Sequence, residues 1–158
     1  MAHISLGRTV PGGDLTTVYD DTSKFSLLER VRDEAGNEYI FLEGVLNTAA
    51  GNWVSFDGDG ATTLLAGNAI GPVGVAMAAI GADSYGFYQI YGYNATTSSD
   101  TTAANSALFI DGTAGRVDDA AVAGDLIVGA NSVAADKSNV LPVWLNYPVV
   151  TDHLGTAG

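Results

Sequence analysis

Apolar and polar positions alternate over short stretches of this chain, and no long run repeats at helical spacing. Trp53 to Phe56 predicts a strand ended by Asp57-Gly58-Asp59-Gly60, and Ala61 to Leu65 predicts a second ended by Gly67-Asn68. Pro72 to Ile80 is a near-continuous run of small apolar residues, which predicts a strand buried on both faces. Tyr85 to Tyr93, Ser106 to Ile110, Val122 to Val128 and Val140 to Val150 complete the set. Turn residues separate these stretches roughly every 8–15 residues, which predicts an all-β fold, a single β-sandwich or β-barrel domain.

The remaining segments carry weaker signals. Residues 1–24 hold Pro11-Gly12-Gly13 and then Thr- and Asp-rich sequence with no sustained period, which predicts an extended N-terminal arm. The domain proper is expected over 25–150, with a flexible C-terminal tail over 151–158. Residues 25–45 allow two readings. Ser26-Leu27-Leu28-Glu29 has capping-box spacing and Gly36 suits a helix end, giving a short helix. The favoured alternative is a hairpin of Phe25–Val31 and Glu38–Val45 around a turn at Asp33–Asn37, because β-branched and aromatic residues dominate its second half. Asn94 to Asn105 is polar and low in complexity and reads as a loop.

Charge refines this picture. The 158 residues carry a formal −12, spread unevenly. Residues 1–32 hold four acids and four bases, whereas 33–158 hold fourteen acids and only Arg116 and Lys137 as bases. Direct nucleic-acid binding is not expected of such a chain, since phosphate contacts need clustered Lys and Arg. No run of about 18 apolar residues exists, so no membrane-spanning helix is expected. The chain has no cysteine, which excludes disulfides and thiolate chemistry. Charged residues make up only 15%, which suits a protein whose faces are covered by neighbours.

Candidate chemistry is sparse. The two histidines, His3 and His153, lie near the termini, where a general base is hard to hold in position. Asp57-Gly58-Asp59-Gly60 invites a calcium reading, but the third ligand, the required Gly and the bidentate Glu of an EF-hand loop fall on Ala61, Thr62 and Asn68. A tight turn explains it better. Asp118-Asp119 on a strand would face opposite ways and not converge. No nucleophile elbow or phosphate-cradling loop is present. No catalytic residue, metal or cofactor is therefore assigned, and the chain reads as a non-enzyme.

The strongest feature is aromatic: Tyr85, Phe87, Tyr88, Tyr91 and Tyr93 within nine residues. On an ideal strand Tyr85, Phe87, Tyr91 and Tyr93 share a face. Three readings stay open for that face: core, oligomer interface, or a platform for stacking sugars. Trp53 and Trp144 are expected in the core.

A family pattern also runs through residues 25–150. It comprises Phe25-x-Leu27, Glu29-x-Val31, Gly36-Asn37-Glu38-Tyr39-x-Phe41, Gly71-Pro72-Val73-Gly74-Val75-Ala76 and Tyr85-Gly86-Phe87-Tyr88-Gln89-Ile90-Tyr91-Gly92. Ala114-Gly115-Arg116-Val117-Asp118-Asp119 and Val143-x-Leu145-x-Tyr147-Pro148 follow. The pattern resembles the head-decoration and cement-like virion proteins of tailed bacteriophages. Two departures stand out: Phe87-Tyr88 replaces the usual Trp-Val, and Leu28 stands where Gly is common. The resemblance favours the hairpin over 25–45. It implies a capsid decoration protein on the outer surface of the virion head, assembled in the host cytoplasm. Its partners would be the major capsid protein and further copies in a homotrimer. Capsid contacts would fall on the arm and first hairpin (Arg8, Tyr19, Lys24, Phe25, Leu27, Arg30 and Arg32), and subunit contacts on Tyr85, Phe87, Tyr91 and Tyr93. The alternative is a carbohydrate- or host-surface-binding virion module using the Tyr85–Tyr93 strand.

Overall fold

The computed structural model describes residues 8–151. They form β1 (Arg8–Thr9), a single helical turn α1 (Gly12–Leu15), β2 (Arg30–Arg32), β3 (Glu38–Glu43), β4 (Trp53–Phe56) and β5 (Thr62–Leu64). Then come β6 (Ile70–Ala76), β7 (Tyr85–Ser98), β8 (Ala107–Ile110), β9 (Val117–Asp118), β10 (Leu126–Ser132) and β11 (Val140–Thr151). The strands join one open sheet in the order β1-β2-β3-β7-β6-β11-β10-β8-β9, with β4 paired to β6 and β5 to β4. Only β1–β2 is parallel among these named pairings. The fold is all-β and sandwich-like, as expected.

Two long strands let one sheet fold over its own core. The first half of β7 pairs with β3, and from Tyr91 onward it pairs with β11. β11 pairs with β7 through Asn146 and then, from Val149, with β6. The switches fall at Gly92, with φ 102°, and at Tyr147, with φ 46°. Local irregularities of this kind bend a strand and let it serve two layers. Gly92 is also packed from outside: a Cβ there would collide with the Asn37 carboxamide.

Alternation places the core. Trp53, Val75, Leu108, Leu141 and Val143 anchor one cluster, and Ile40, Leu42, Val54, Tyr88 and Ile90 a second. A third gathers Val10, Leu15, Phe25, Val31, Phe41 and Phe87. This third cluster corrects the expected arm. Over residues 8–24 the chain is packed rather than extended: Val10 and Leu15 are buried, and Tyr19 exchanges backbone hydrogen bonds with Tyr85. Their irregular spacing hid them from a periodicity argument, yet they cover Phe25, Phe41 and Phe87, which would otherwise face water. Residues 1–7 lie outside the described residues. So does the expected C-terminal tail, apart from Thr151, which belongs to β11.

Other boundaries shift. The 25–45 segment is a hairpin, with its first strand reduced to Arg30–Arg32. The capping-box residues make a turn instead of a helix: Glu29 accepts the Ser26 N–H at 3.1 Å while Leu28 holds φ 67°. β6 ends at Ala76, short of Ile80, and Val122 to Asp125 forms a turn before β10. The first part of the expected Asn94–Asn105 loop is strand instead. Thr97 pairs with Leu141 and is buried, since β-branched threonines fill a pleated surface well.

Candidate interaction face

The outward side of the β10–β11 ribbon sets it apart from the rest of the surface. The chain has 24 charged residues (6 basic plus 18 acidic), yet 126–135 and 138–151 contain none. The inward residues Ile127, Leu141, Val143, Leu145 and Val150 are buried. The alternate positions therefore point outward, and Leu126, Val128, Val140 and Trp144 are exposed there, Trp144 at 53%. Large apolar side chains in water on a strand pair without charge mark a surface built to be covered.

Register adds β7 to this face. Trp144 lies opposite Tyr93, and their rings meet edge to face at 5.5 Å. Tyr91 lies opposite Asn146, and its ring sits 5.2 Å from that of Tyr147. The left-handed backbone at Tyr147 turns its side chain toward β3, where its hydroxyl donates to Glu38 Oε2 at 2.6 Å. Arg30 completes the group: its guanidinium lies 5.8 Å from the centre of the Tyr147 ring and 3.5 Å from Glu38 Oε1. The nearly buried Glu38 carboxylate thus holds a cation and an aromatic ring in place from beneath. The hydrogen bond to Glu38, then burial, pushes the Tyr147 hydroxyl above its ordinary pKa. Arg32 lies opposite Glu38 in the β2–β3 register and is exposed. Beside the group, Phe56, Ile90, Pro148, Arg30 and Tyr147 line a small hollow of about 80 Å³. Aromatic rings and arginine around a hollow are the groups that dominate binding energy at protein interfaces.

The structure therefore unites Arg30 and Arg32, expected at a capsid contact, with Tyr91 and Tyr93, expected at a subunit contact. The other expected residues lie elsewhere. Phe25 and Phe87 are buried, with rings in edge contact at 4.9 Å, so neither can contact a partner in this fold. Each lies in the third cluster because strand pleating carries it inward. Tyr19 and Tyr85 are half-buried: Tyr19 contacts Phe25, Phe41 and Phe87, and Tyr85 stacks on Phe41. Leu27 is half-buried against Gly60. Lys24 is exposed and pairs with Asp14 at 3.1 Å, and Arg8 lies in β1. Trp53 is fully buried as expected, whereas Trp144 is not in the core. Strand parity turns its ring outward, since its neighbours Val143 and Leu145 both point inward. Glu38 and Tyr147 both fall in the family pattern, but no local period pairs them, because their link spans 109 positions.

The acidic motifs serve turns. Asp57 accepts the N–H groups of Asp59 and Ala61. Asp118 accepts from Ala120 and Asp119 from Ala103, so the two carboxylates diverge. Among the described residues no group of three or more metal-ligating side chains converges, and no helix is long and apolar enough to cross a membrane. His3 and His153 lie outside the described residues. No protein-family model, curated protein or solved structure matches this chain.

Proposed function

We propose that this protein is an accessory, non-catalytic component of a tailed-phage head that binds the outer surface of the assembled capsid. The observation that carries the reading is the aromatic–arginine face, an uncharged exposed surface edged by Arg30 and Arg32 on an otherwise acidic body. Such a face fits a large partner that supplies apolar contacts and carboxylates. The residues of the resemblance have structural jobs here. Gln89 donates to the carbonyls of Tyr91 and Tyr93 and so braces the switch at Gly92. Gly74 lets β6 approach the Tyr88 side chain, to which a Cβ would come within 3.1 Å. Leu28, where the pattern has Gly, holds a left-handed backbone that glycine adopts freely.

The mechanism is linkage. A ligand that binds only the assembled shell stabilises that state by mass action, and the gain grows with the number of copies bound. In this reading the major capsid protein is the partner, and the protein joins the head in the host cytoplasm. Co-sedimentation with heads lacking this protein tests it. Wild type should pellet with the heads and raise their disruption temperature. Arg32→Glu and Trp144→Ala should each weaken binding about tenfold, about 1.4 kcal/mol. Wild-type chain that stays in the supernatant sinks the proposal.

A second reading has its own observation. Tyr91 and Trp144 expose ring surface, and the exposed Asn146 lies opposite Tyr91, a combination of stacking faces and a hydrogen-bonding group suited to a glycan of the host surface. A glycan array separates the two. Binding to defined sugars that vanishes in Tyr91→Ala favours a host-surface module, and a blank array leaves the capsid.

A further inference from the structure

We infer that the hollow where β6, β7 and β11 diverge is a socket for one aliphatic side chain of a partner protein's segment that carries a carboxylate beside it, which rests on the shell-docking reading and names what the docked segment presents. Strand pairing makes the hollow. β7 lies against β6 at Val75–Gln89 and Ala76–Tyr88, then leaves to pair with β11 from Tyr91. β11 in turn joins β6 at Val149–Pro72. Between these contacts, Val73 and Gly74 of β6 are paired on their β4 side alone. The sheet therefore splits at this point, and side chains close the gap. Phe56, Val73, Ile90, Pro148 and Val149 line it, and Arg30 and the Tyr147 hydroxyl are its polar groups.

Size and charge select the occupant. The hollow measures about 80 Å³, whereas a small-molecule ligand needs about 300 Å³ or more. One aliphatic side chain suits such a space. A sugar hydroxyl seated among Phe56, Ile90 and Pro148 would lose its hydrogen bonds to water. The charge beside it is basic on a chain of −12. Arg30 and Arg32 both project from β2, with buried Val31 between them. Their positive charges both act on the Tyr147 hydroxyl, which places both near the mouth. Glu38 holds Arg30, whereas Arg32 makes no ion pair among the described residues. A carboxylate on the partner is therefore favoured, and the guanidinium fork matches its geometry. The mouth is also set before binding. Tyr147 keeps its left-handed backbone, φ 46°, with its hydroxyl on the nearly buried Glu38. Strained backbone of this kind clusters at ligand clamps, and groups already in place lose little freedom on binding.

Methyl NMR on the free, full-length protein tests this with blocked tetrapeptides: Gly-Leu-Asp-Gly, and the same peptide with Asn or Lys for Asp, or Ser for Leu. The Leu-Asp peptide should shift the Val73, Ile90 and Val149 methyls saturably. Asn for Asp should weaken binding about fivefold. Lys for Asp, or Ser for Leu, should abolish the shifts. Val149→Phe fills the hollow and should abolish binding of the Leu-Asp peptide with an unchanged circular-dichroism spectrum. Arg32→Gln, a surface change, should reproduce the loss seen with the Asn peptide, and keeps the test decisive if Val149→Phe does not fold. Equal binding of the Asp, Asn and Lys peptides overturns the inference, as does a glycan retained on the array that moves these methyls where the Leu-Asp peptide does not. Wild type that pellets with heads while the Leu-Asp peptide leaves the methyls unmoved keeps the docking reading and overturns the socket. Peptide binding in the hollow, with wild type left in the supernatant, supports the socket and removes the capsid.

Discussion

Leu28 is the clearest case of a residue at odds with its backbone. It holds φ 67°, its side chain is exposed, and its N–H donates to Phe41 across the hairpin. The left-handed conformation costs an L-residue about 1–2 kcal/mol, and glycine avoids that cost at some loss through greater freedom in the unfolded chain. Leu28→Gly should therefore raise stability by about 0.5–1 kcal/mol, and Leu28→Val should lower it, as urea titration would show. Gly92 is the opposite case. With φ 102° and the Asn37 carboxamide where a Cβ would go, Gly92→Ala meets backbone strain and a collision together. A loss of about 2–4 kcal/mol is expected in the same titration, and a loss under about 0.5 kcal/mol would contradict the packing described.

Two turns hold aspartates whose titrations have opposite signs. Burial alone would raise the Asp33 carboxyl, but hydrogen bonds from the Asn37 side chain, the Tyr39 hydroxyl and the N–H groups of Asn37 and Ala35 outweigh it and hold it below the ordinary carboxylate value. Its stabilising effect is thus present above the ordinary Asp pKa, about 3.9, and fades as pH falls through the depressed folded value. Asp118 is raised, first by burial and then by its neighbours Asp111, Asp119 and Asp100. It therefore opposes folding at neutral pH and ceases to do so as pH falls through its raised value. Asp33→Asn should lower stability at pH 7 and flatten the acid limb. Asp118→Asn, which keeps an acceptor for the Ala120 N–H, should raise stability at pH 7. Thermal melts from pH 3 to pH 7 would check both, and equal shifts in both variants would refute the assignment. The same elements show what the sequence could reveal. Strand identity and the Asp57–Gly60 turn were legible because they follow from local period and turn chemistry. The packing of Val10 and Leu15 was not, because it depends on Phe41 and Phe87 arriving from distant strands. The candidate face was half legible: Tyr91, Tyr93, Arg30 and Arg32 could be named, but only the β7–β11 register and the bend at Tyr147 bring them together.

Across the whole molecule, charge and exposed apolar area set how docking responds to salt. At physiological ionic strength the Debye length is about 8 Å, so exposed charges act mainly on near neighbours. Docking that uses Arg30 and Arg32 against carboxylates weakens as this length shortens. A contact through the exposed Trp144 ring buries apolar area and is not screened in this way. Arg32→Glu should therefore flatten the fall of head binding with salt, whereas Trp144→Ala should weaken binding by a similar factor at every salt concentration. Co-sedimentation of both variants with the same heads, from low to molar salt, measures the two slopes directly. Equal slopes in the two variants would mean that charge and ring do not contribute separately at this face.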